Sequence, residues 1–194
     1  MSRHIDLGCG NNPRNPYNKS ELYGVDISLT DDTFGRFKSA NLFIDNIPFE
    51  SNYFDSLSAY DFIEHVPRVI ETANSSNTRF CFVELMSEIW RVLKPDGVFF
   101  ASTPVFPNPQ VFVDPTHVNF ITEKTHLYFC GDCPPARIYG FKGKFIQKNV
   151  VKWKPRDNSP FLEQSFPIRF KRVRDFLKRR RSHLAWELIA LKDF

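Results

Sequence analysis

The sequence has no long apolar run, no internal repeat and few cysteines. No window reaches 18 consecutive apolar residues, so we expect no membrane-spanning helix. The N-terminus, residues 1–6, enters a strand-like run at once, so we also expect no signal peptide. Only four of the 194 residues are cysteines, which fits reduced thiols. These absences lead us to expect a cytoplasmic protein without a disulfide framework.

The composition is that of an ordinary globular protein. Hydrophobic residues make up 42% of the chain and charged residues 25%. A chain of this length can bury roughly 70% of the surface that its unfolded form exposes, so its core needs neither disulfides nor a structural metal. We therefore expect one compact domain over residues 1–194, and the composition excludes a disordered chain.

Charge is distributed unevenly along the chain. Residues 1–136 carry 10 basic and 17 acidic side chains, whereas residues 137–194 carry 16 basic and 5 acidic ones. The basic excess in the second part indicates an anionic partner, which could be a nucleic acid, a membrane surface or a phosphorylated substrate. The charge pattern does not choose among the three.

Strand-like and helix-like patterns alternate along the chain. The predicted strands cover residues 3–7, 22–27, 38–43, 53–60, 98–102, 144–153 and 186–191. Residues 78–93 form an amphipathic pattern typical of a helix, and residues 169–181 a basic one. The prolines and asparagines of residues 11–17 leave little room for a crossover helix. The alternation predicts an α/β three-layer sandwich on a mostly parallel sheet, with an abbreviated first helix.

A glycine turn directly after the first strand is the strongest local motif. In residues 6–10, DLGCG, the missing side chains allow a ligand to approach the backbone. A dinucleotide fingerprint would need a third glycine where Pro13 stands, which disfavours NAD and FAD. Asp26 ends the second strand, where a carboxylate can bind both hydroxyls of a ribose. A nucleoside ligand follows, and the alternative is a plain turn with Asp26 as a helix N-cap.

Four stretches of the sequence carry a family resemblance. They are DLGCGNNP at residues 6–13, YGVDIS at 23–28, IPFESNYFDSLSAYDFIEHV at 47–66 and ELMSEIWRVLKPDGVFFASTP at 84–104. In order and spacing they resemble the class I S-adenosylmethionine-dependent methyltransferases of the small stand-alone kind, similar to methyltransferase type 11. The resemblance implies a Rossmann-like fold with a seven-stranded, mostly parallel sheet and a final antiparallel strand.

The resemblance also divides the chain and implies S-adenosylmethionine as cofactor. It implies a cofactor-binding core over residues 1–104, an acceptor-side insertion over 105–137, and C-terminal strands with a basic helix over 138–194. Asp6 and Gly8 would face the methionine end, Asp26 the ribose, and the amide of Asn41 the adenine. The implied cofactor-binding residues are Asp6, Gly8, Cys9, Gly10, Asp26, Ile27, Asn41, Leu42, Asp61 and Phe62.

Methyl transfer needs two aligned reactants and, for an oxygen or protonated amine acceptor, a group that takes up a proton. We predict His117 and Asp61 as the catalytic residues. His117 lies in the DPTH stretch of the insertion, and an imidazole titrates in the useful range. The alternative for His117 is a histidine that only fixes its loop through a backbone bond. Glu64 and His65 are interpreted as structural residues at a helix start.

Cys130 and Cys133 raise the question of a zinc site, because His117 and His126 lie upstream. A structural zinc site usually shows a second close ligand pair, and the spacings here match no known finger. We therefore prefer reduced loop cysteines and expect no obligate metal.

The acceptor is the least determined part of the hypothesis. By resemblance we expect an oxygen or nitrogen of a small molecule or a saccharide. One alternative is an RNA methyltransferase that uses the basic C-terminal helix, and another is a noncatalytic, cofactor-binding partner protein. The basic helix could also bind an anionic membrane surface peripherally, or simply be a solvated face.

Overall fold

The structure is a computed structural model that describes residues 1–30, 34–71, 78–155, 159–161, 174–175 and 181–192. Within these residues the chain forms nine strands and the α-helix α1 (Cys81–Val92). The strands are β1 (Arg3–Leu7), β2 (Glu21–Asp26), β3 (Phe37–Ser39), β4 (Phe54–Tyr60), β5 (Ile70–Glu71), β6 (Thr78–Arg79), β7 (Leu93–Pro104), β8 (Phe145–Trp153) and β9 (His183–Ala190).

Seven of these strands form one sheet in the order β3-β2-β1-β4-β7-β9-β8. Within this order, the neighbours among β3, β2, β1, β4 and β7 pair in parallel. β9 is antiparallel to both β7 and β8. β5 and β6 pair separately as a two-stranded antiparallel ribbon. The predicted α/β, Rossmann-like sheet with a final antiparallel strand is therefore confirmed.

Helix α1 contributes its apolar side to the main core. Its buried side chains recur at spacings of three and four residues, which places them on one side of the helix. They are Cys81, Phe82, Leu85, Met86, Ile89 and Val92. The helix ends at Val92 because Leu93 is extended and starts β7. The prediction of a helix from residue 78 was wrong at its start, since Thr78 and Arg79 pair with β5.

The C-terminal end of α1 is held by residues that follow β9. Lys192 Nζ donates hydrogen bonds to the carbonyl oxygens of Arg91 and Leu93. Trp90 Nε1 donates to the carbonyl oxygen of Leu191 at 2.8 Å. The end of a helix leaves its last carbonyl groups without intrahelical partners, and the ammonium group of Lys192 supplies one.

A second apolar cluster lies apart from the main core, and Tyr17 of the segment between β1 and β2 packs against it. It comprises Tyr60, Phe100, Trp153 and Ala185, with Tyr17, Val151 and Phe161 packed against them. As predicted, the described residues between β1 and β2 form no helix. Instead, the backbone N–H of Arg14 donates to the Asp6 carboxylate at 2.8 Å, and the Arg14 guanidinium lies 4.2 Å from the centroid of the Tyr60 ring.

Several predicted strand boundaries move. β3 ends at Ser39 and not at residue 43, because Asn41 forms a turn: its side-chain oxygen accepts from the Phe43 N–H at 3.2 Å, and its carbonyl from the N–H groups of Ile44 and Asp45. β7 and β9 are longer than predicted, since they pair with each other as far as Pro104 and His183.

Short 3₁₀ helices lie between β7 and β8. Residues in and just after the predicted insertion form short 3₁₀ helices at Pro109–Phe112, Thr125–Phe129 and Pro135–Tyr139. The predicted basic helix over 169–181 lies mostly outside the described residues. Within this range, the described residues 174–175 are helical. The division at residues 104 and 137 stays a prediction. In the part of the chain that the structure describes, no helix has the length and hydropathy that a transmembrane helix requires.

Candidate functional site

A cavity of about 380 Å³ opens at the carboxyl ends of β1, β2 and β4. Strand order reverses at β1, which lies between β2 and β4, and ligands of open α/β sheets bind in the crevice at such a point. The size is within the range of about 300–1,000 Å³ typical of ligand pockets. The lining residues are Gly8, Val25, Asp26, Ile27, Ala40, Asn41, Leu42, Phe43, Asp61, Phe62, His65 and Thr116.

The glycine turn after β1 is shaped by two left-handed residues. Gly8 has φ +64°, and a Cβ built on it would lie 2.5 Å from Cδ2 of Phe62. Gly10 has φ +50° and open space around its Cα, and its N–H donates to Oδ2 of Asp26 at 2.9 Å. Gly8 is therefore required both for its backbone conformation and for the close approach of the Phe62 ring.

The Asp26 carboxylate is ionised and already partly engaged. Its Oδ1 accepts the backbone N–H of Ser28 at 2.8 Å and the Ser28 hydroxyl at 2.6 Å. Partial burial opposes ionisation, but the Ser28 and Gly10 hydrogen bonds outweigh it and lower the pKa of Asp26. Oδ2 retains capacity for a further donor, whereas a ribose hydroxyl at Oδ1 would compete with the Ser28 hydroxyl.

The walls beside Asp26 are apolar and suit a planar ring. Ile27 is 68% exposed although it is hydrophobic, and it faces the cavity. The rings of Phe43 and Phe62 stack with centroids 6.1 Å apart. The side-chain oxygen of Asn41 is used by the turn, and among the described residues its amide nitrogen donates to no acceptor, so it is available to a ligand. Phe43 was missed by the sequence interpretation, which stopped at Leu42.

Asp61 follows β4 in a strained conformation and faces the cavity. Its φ is +47°, unusual for a residue other than glycine, and its N–H donates to the carbonyl oxygen of Ser102 at 2.8 Å. Its Oδ1 lies 3.0 Å from Nε2 of His183, on β9. His183 is a site residue that the sequence interpretation missed, because no local motif connects β9 with the end of β4.

Three predicted cofactor residues, Asp6, Cys9 and Gly10, are not among the residues that line the cavity. Asp6 lies near the end of β1, and Cys9 and Gly10 belong to the glycine turn itself. Burial raises the pKa of the Cys9 thiol to about 12, so this cysteine is inert. Its Sγ packs against the backbone of Gly24, where a Cβ would lie 2.7 Å away. Direct contacts of these three residues with a ligand stay a prediction.

Asp6 ends a buried chain of hydrogen bonds. The Ser58 hydroxyl donates to Oδ1 of Asp6 at 2.5 Å and therefore accepts from Nε2–H of His4 at 2.8 Å. Nδ1 of His4 then accepts from the Ser56 hydroxyl at 2.8 Å. Burial lowers the pKa of His4 to about 3 and raises that of Asp6 to about 6. The imidazole at the base of the turn is therefore neutral.

His117, the first predicted catalytic residue, lies behind the cavity wall and outside the lining. Its Nδ1 is 2.9 Å from the carbonyl oxygen of Val111, and its Nε2 faces Oε1 of Glu64 at 4.0 Å. The rings of His65 and His117 meet edge to face with centroids 4.7 Å apart. His65 and Thr116 line the cavity, whereas His117 does not. The second predicted catalytic residue, Asp61, does line the cavity.

Glu64 is a buried carboxyl group beside these histidines. It is 1% exposed, its Oε2 accepts the Thr103 hydroxyl at 2.9 Å, and no described residue bonds its Oε1. Burial raises the pKa of Glu64 to about 8. Its backbone carbonyl accepts the N–H groups of Val118 and Asn119, which ties the insertion to the end of β4. The interpretation of Glu64 and His65 as structural residues overlooked that the fold brings them together with His117.

The described residues do not assemble the alternative zinc site around the two loop cysteines. Cys130 and Cys133 are free thiols, and Cys133 is exposed. Nε2 of His126 bonds Oε1 of Gln147 at 2.6 Å, while His117 faces Glu64. The only cluster of metal-ligand side chains among the described residues comprises Glu64, His65 and His117.

Known proteins resemble the chain in sequence pattern and in fold. A family model described as a methyltransferase domain matches residues 5–101. A methyltransferase solved in complex with the Trm112 methyltransferase activator of Haloferax volcanii is 13% identical with a TM-score of 0.58, over 98% of this chain and 83% of that chain. An S-adenosylmethionine-dependent methyltransferase from Mesorhizobium loti is 15% identical with a TM-score of 0.56, over 96% and 90%.

A third solved structure is phosphoethanolamine N-methyltransferase 2 of Haemonchus contortus in complex with S-adenosylmethionine. It is 17% identical with a TM-score of 0.53, and the match covers 100% of this chain and 49% of that chain. No curated protein sequence matches the chain. The three structures share the fold described above.

Proposed function

Because the chain belongs to the methyltransferase domain family, with S-adenosylmethionine as its cofactor, we propose that it methylates an oxygen or nitrogen of a small-molecule or saccharide acceptor. The observation that carries the proposal is the cavity at the strand-order reversal. There the glycine turn, an ionised carboxylate at the end of β2 and a second carboxylate after β4 face one space.

The residues around the cavity fit this cofactor. Asp26 Oδ2 would accept a ribose hydroxyl, and a rotated Ser28 hydroxyl would free Oδ1 for the other. Ile27, Phe43 and the Asn41 amide would hold the adenine between apolar contacts and one hydrogen-bond donor. The Gly8 turn and the Phe62 ring would border the methionine end. When bound, the cofactor supplies an electrophilic methyl group on a positively charged sulfur.

The residues of this chain then have to orient an acceptor and take up its proton. Positioning alone can supply effective molarities of about 10⁵ M or more, so no covalent nucleophile is needed. We assign the proton uptake to Asp61, whose carboxylate lines the cavity and is oriented by Nε2 of His183 at 3.0 Å. A proton acceptor so placed contributes typically about 10²–10⁴ in rate. His117 does not line the cavity, and its ring contacts that of His65, which does.

The acceptor class rests on the polar residues that line one side of the cavity. The cavity walls contributed by His65 and Thr116 are polar and close to Asp61, which suits a small acceptor with a hydroxyl or amine. The Haemonchus contortus structure is named for a small polar acceptor of this kind, phosphoethanolamine. The RNA alternative depends on a basic segment that lies mostly outside the described residues, so no contact of the structure favours it.

Calorimetric titration with S-adenosylmethionine and S-adenosylhomocysteine tests the cofactor site. We expect one-to-one binding to the wild type, and at least tenfold weaker binding to Asp26→Ala, which corresponds to about 1.4 kcal/mol or more. Asp132→Ala is the matched control, because Asp132 is an exposed aspartate far along the chain with a side chain 98% exposed. Binding that is absent in the wild type, or unchanged in Asp26→Ala, would contradict the proposed site.

A further inference from the structure

Three potential metal ligands meet where the insertion contacts the end of β4. The nearest ligand atoms of Glu64, His65 and His117 all lie within 4.8 Å of one another. The backbone fixes this meeting, because the Glu64 carbonyl oxygen accepts the N–H groups of Val118 at 3.0 Å and Asn119 at 2.8 Å. We call these three side chains the E-H-H cluster.

Hydrogen bonds at the far side of each imidazole fix its tautomer. Nδ1 of His117 bonds the carbonyl oxygen of Val111, which can only accept, so Nδ1 carries the proton. The Thr116 hydroxyl donates to Oδ1 of Asp114 at 2.7 Å, so it accepts from Nδ1–H of His65 at 2.8 Å. Both imidazoles therefore hold a free lone pair at Nε2. Metal-binding histidines are oriented in the same way, by an Nδ1–H donated to a carbonyl or carboxylate-linked partner.

The carboxylate of the cluster has one oxygen that the protein does not satisfy. Glu64 is 1% exposed, and Oε1 has no hydrogen-bond partner among the described residues. Nε2 of His117 lies 4.0 Å away, too far for a hydrogen bond. Leaving a buried acceptor unpaired is unfavourable, and nearly all such groups in native proteins have a partner. Two imidazole lone pairs and an unpaired carboxyl oxygen are the set of ligand atoms that a cation uses, and a bound cation displaces the proton that burial favours on Glu64.

We propose that the E-H-H cluster binds one divalent transition-metal ion beside the cavity. Two imidazoles and one carboxylate suit zinc, iron, cobalt or nickel better than magnesium or calcium, which prefer oxygen ligands. With metal–ligand bonds of about 2.0–2.2 Å, the ligand atoms of one ion are roughly 3–4 Å apart, so small side-chain rotations complete the site. Three protein ligands leave coordination positions open. The metal site goes beyond the proposed function and departs from the expectation of no metal.

The position of the cluster indicates what the ion would serve. His65 and Thr116 line the cavity, so the ion lies next to the space assigned to the acceptor. A divalent cation lowers the pKa of a bound hydroxyl and orients it. This role rests on the proposed function, whereas the binding of the ion does not.

Titration of chelator-treated, metal-free protein with Co²⁺ tests the site directly. We expect one Co²⁺ per chain, seen in the visible absorption of the ion and by calorimetry. Glu64→Gln, His65→Gln and His117→Gln should each weaken binding at least tenfold. Thr116→Val removes only the partner of His65, and loss of such a partner typically costs about 10–100-fold in affinity. His126→Gln and the double variant Cys130→Ser/Cys133→Ser are the matched controls, and both should bind Co²⁺ like the wild type.

Two further measurements separate the possible outcomes. Circular dichroism shows whether each variant is folded, and a Co²⁺-induced rise in Tm that the folded ligand variants lack supports the site. The site is wrong if the wild type binds no stoichiometric Co²⁺, or if folded His65→Gln and His117→Gln bind like the wild type. Loss of binding in the cysteine double variant would also overturn it. Titration of the same samples with S-adenosylhomocysteine tests the cofactor site separately.

Discussion

His4 links the stability of the sheet to pH. Its pKa is about 3 in the folded chain, far below the usual value of 6.5, so only the unfolded chain binds this proton as the pH falls below 6.5. The His4 contribution is therefore complete above pH 6.5 and is lost between pH 6.5 and 3. Asp6 acts in the opposite direction, since its pKa near 6 makes the folded chain take up a proton first below pH 6.

His4→Gln isolates this effect. The glutamine amide can donate to Ser58 and accept from Ser56 without titrating. We expect the difference in unfolding free energy between wild type and His4→Gln to shift by about 2 kcal/mol in favour of the variant between pH 7.5 and pH 5. Urea unfolding at several pH values measures it. Parallel pH profiles for the two proteins would show that His4 is not neutral in the fold.

The two glycines of the turn should respond differently to alanine. Gly8→Ala places a Cβ 2.5 Å from the Phe62 ring, so we expect the ring to move toward the cavity and S-adenosylhomocysteine affinity to fall at least tenfold. The Cβ of Gly10→Ala meets no atom of the described residues within 4 Å, and the left-handed backbone should cost only about 1–2 kcal/mol of stability. Calorimetry and urea unfolding of both variants test this contrast, and equal losses of affinity would contradict it.

Among the secondary-structure elements, α1 is stabilised at its C-terminal end by the cation of Lys192, which follows β9. Lys192 Nζ bonds the carbonyl groups of Arg91 and Leu93 and lies 4.5 Å from the centroid of the Trp90 ring. Hydrogen bonds of a charged group contribute about 1.5–3 kcal/mol. We therefore expect Lys192→Met to lower the unfolding free energy by about 1–3 kcal/mol, measured by urea unfolding. The exposed Lys142→Met is the control, and an equal effect in both variants would argue against the cap.

Local sequence patterns predicted most elements, and their failures have local causes. The mostly buried strands β1 and β4 were predicted with boundaries within one residue, because a central parallel strand is buried on both faces. β3 was predicted too long because the pattern continues through Leu42 and Phe43, while the turn at Asn41 depends on hydrogen bonds that hydrophobicity does not reveal. The start of α1 failed because the pairing of Thr78 and Arg79 with β5 is not encoded in the helical periodicity.

For the whole molecule, sequence patterns predicted the part of the site whose residues each lie at the end of a strand. Gly8 and Asp61 follow β1 and β4 directly and Asp26 ends β2, so the parallel topology brings them to one edge. The other half joins residues distant in the chain. The pairing of Asp61 with His183 depends on the insertion of β9 beside β7, and the approach of His117 to Glu64 depends on backbone bonds to the insertion. No sequence motif in either segment predicts these contacts.

Because β9 lies between β7 and β8, a growing chain cannot complete the sheet before β9 is made. β8 is made first, but its neighbour in the sheet is β9, the last of the described strands. Until the ribosome has released His183–Ala190, β7 presents an open edge and β8 has no strand beside it. Open edges of this kind invite pairing between nascent chains. Completion of the sheet, and with it the placement of His183 against Asp61, therefore waits for the synthesis of β9.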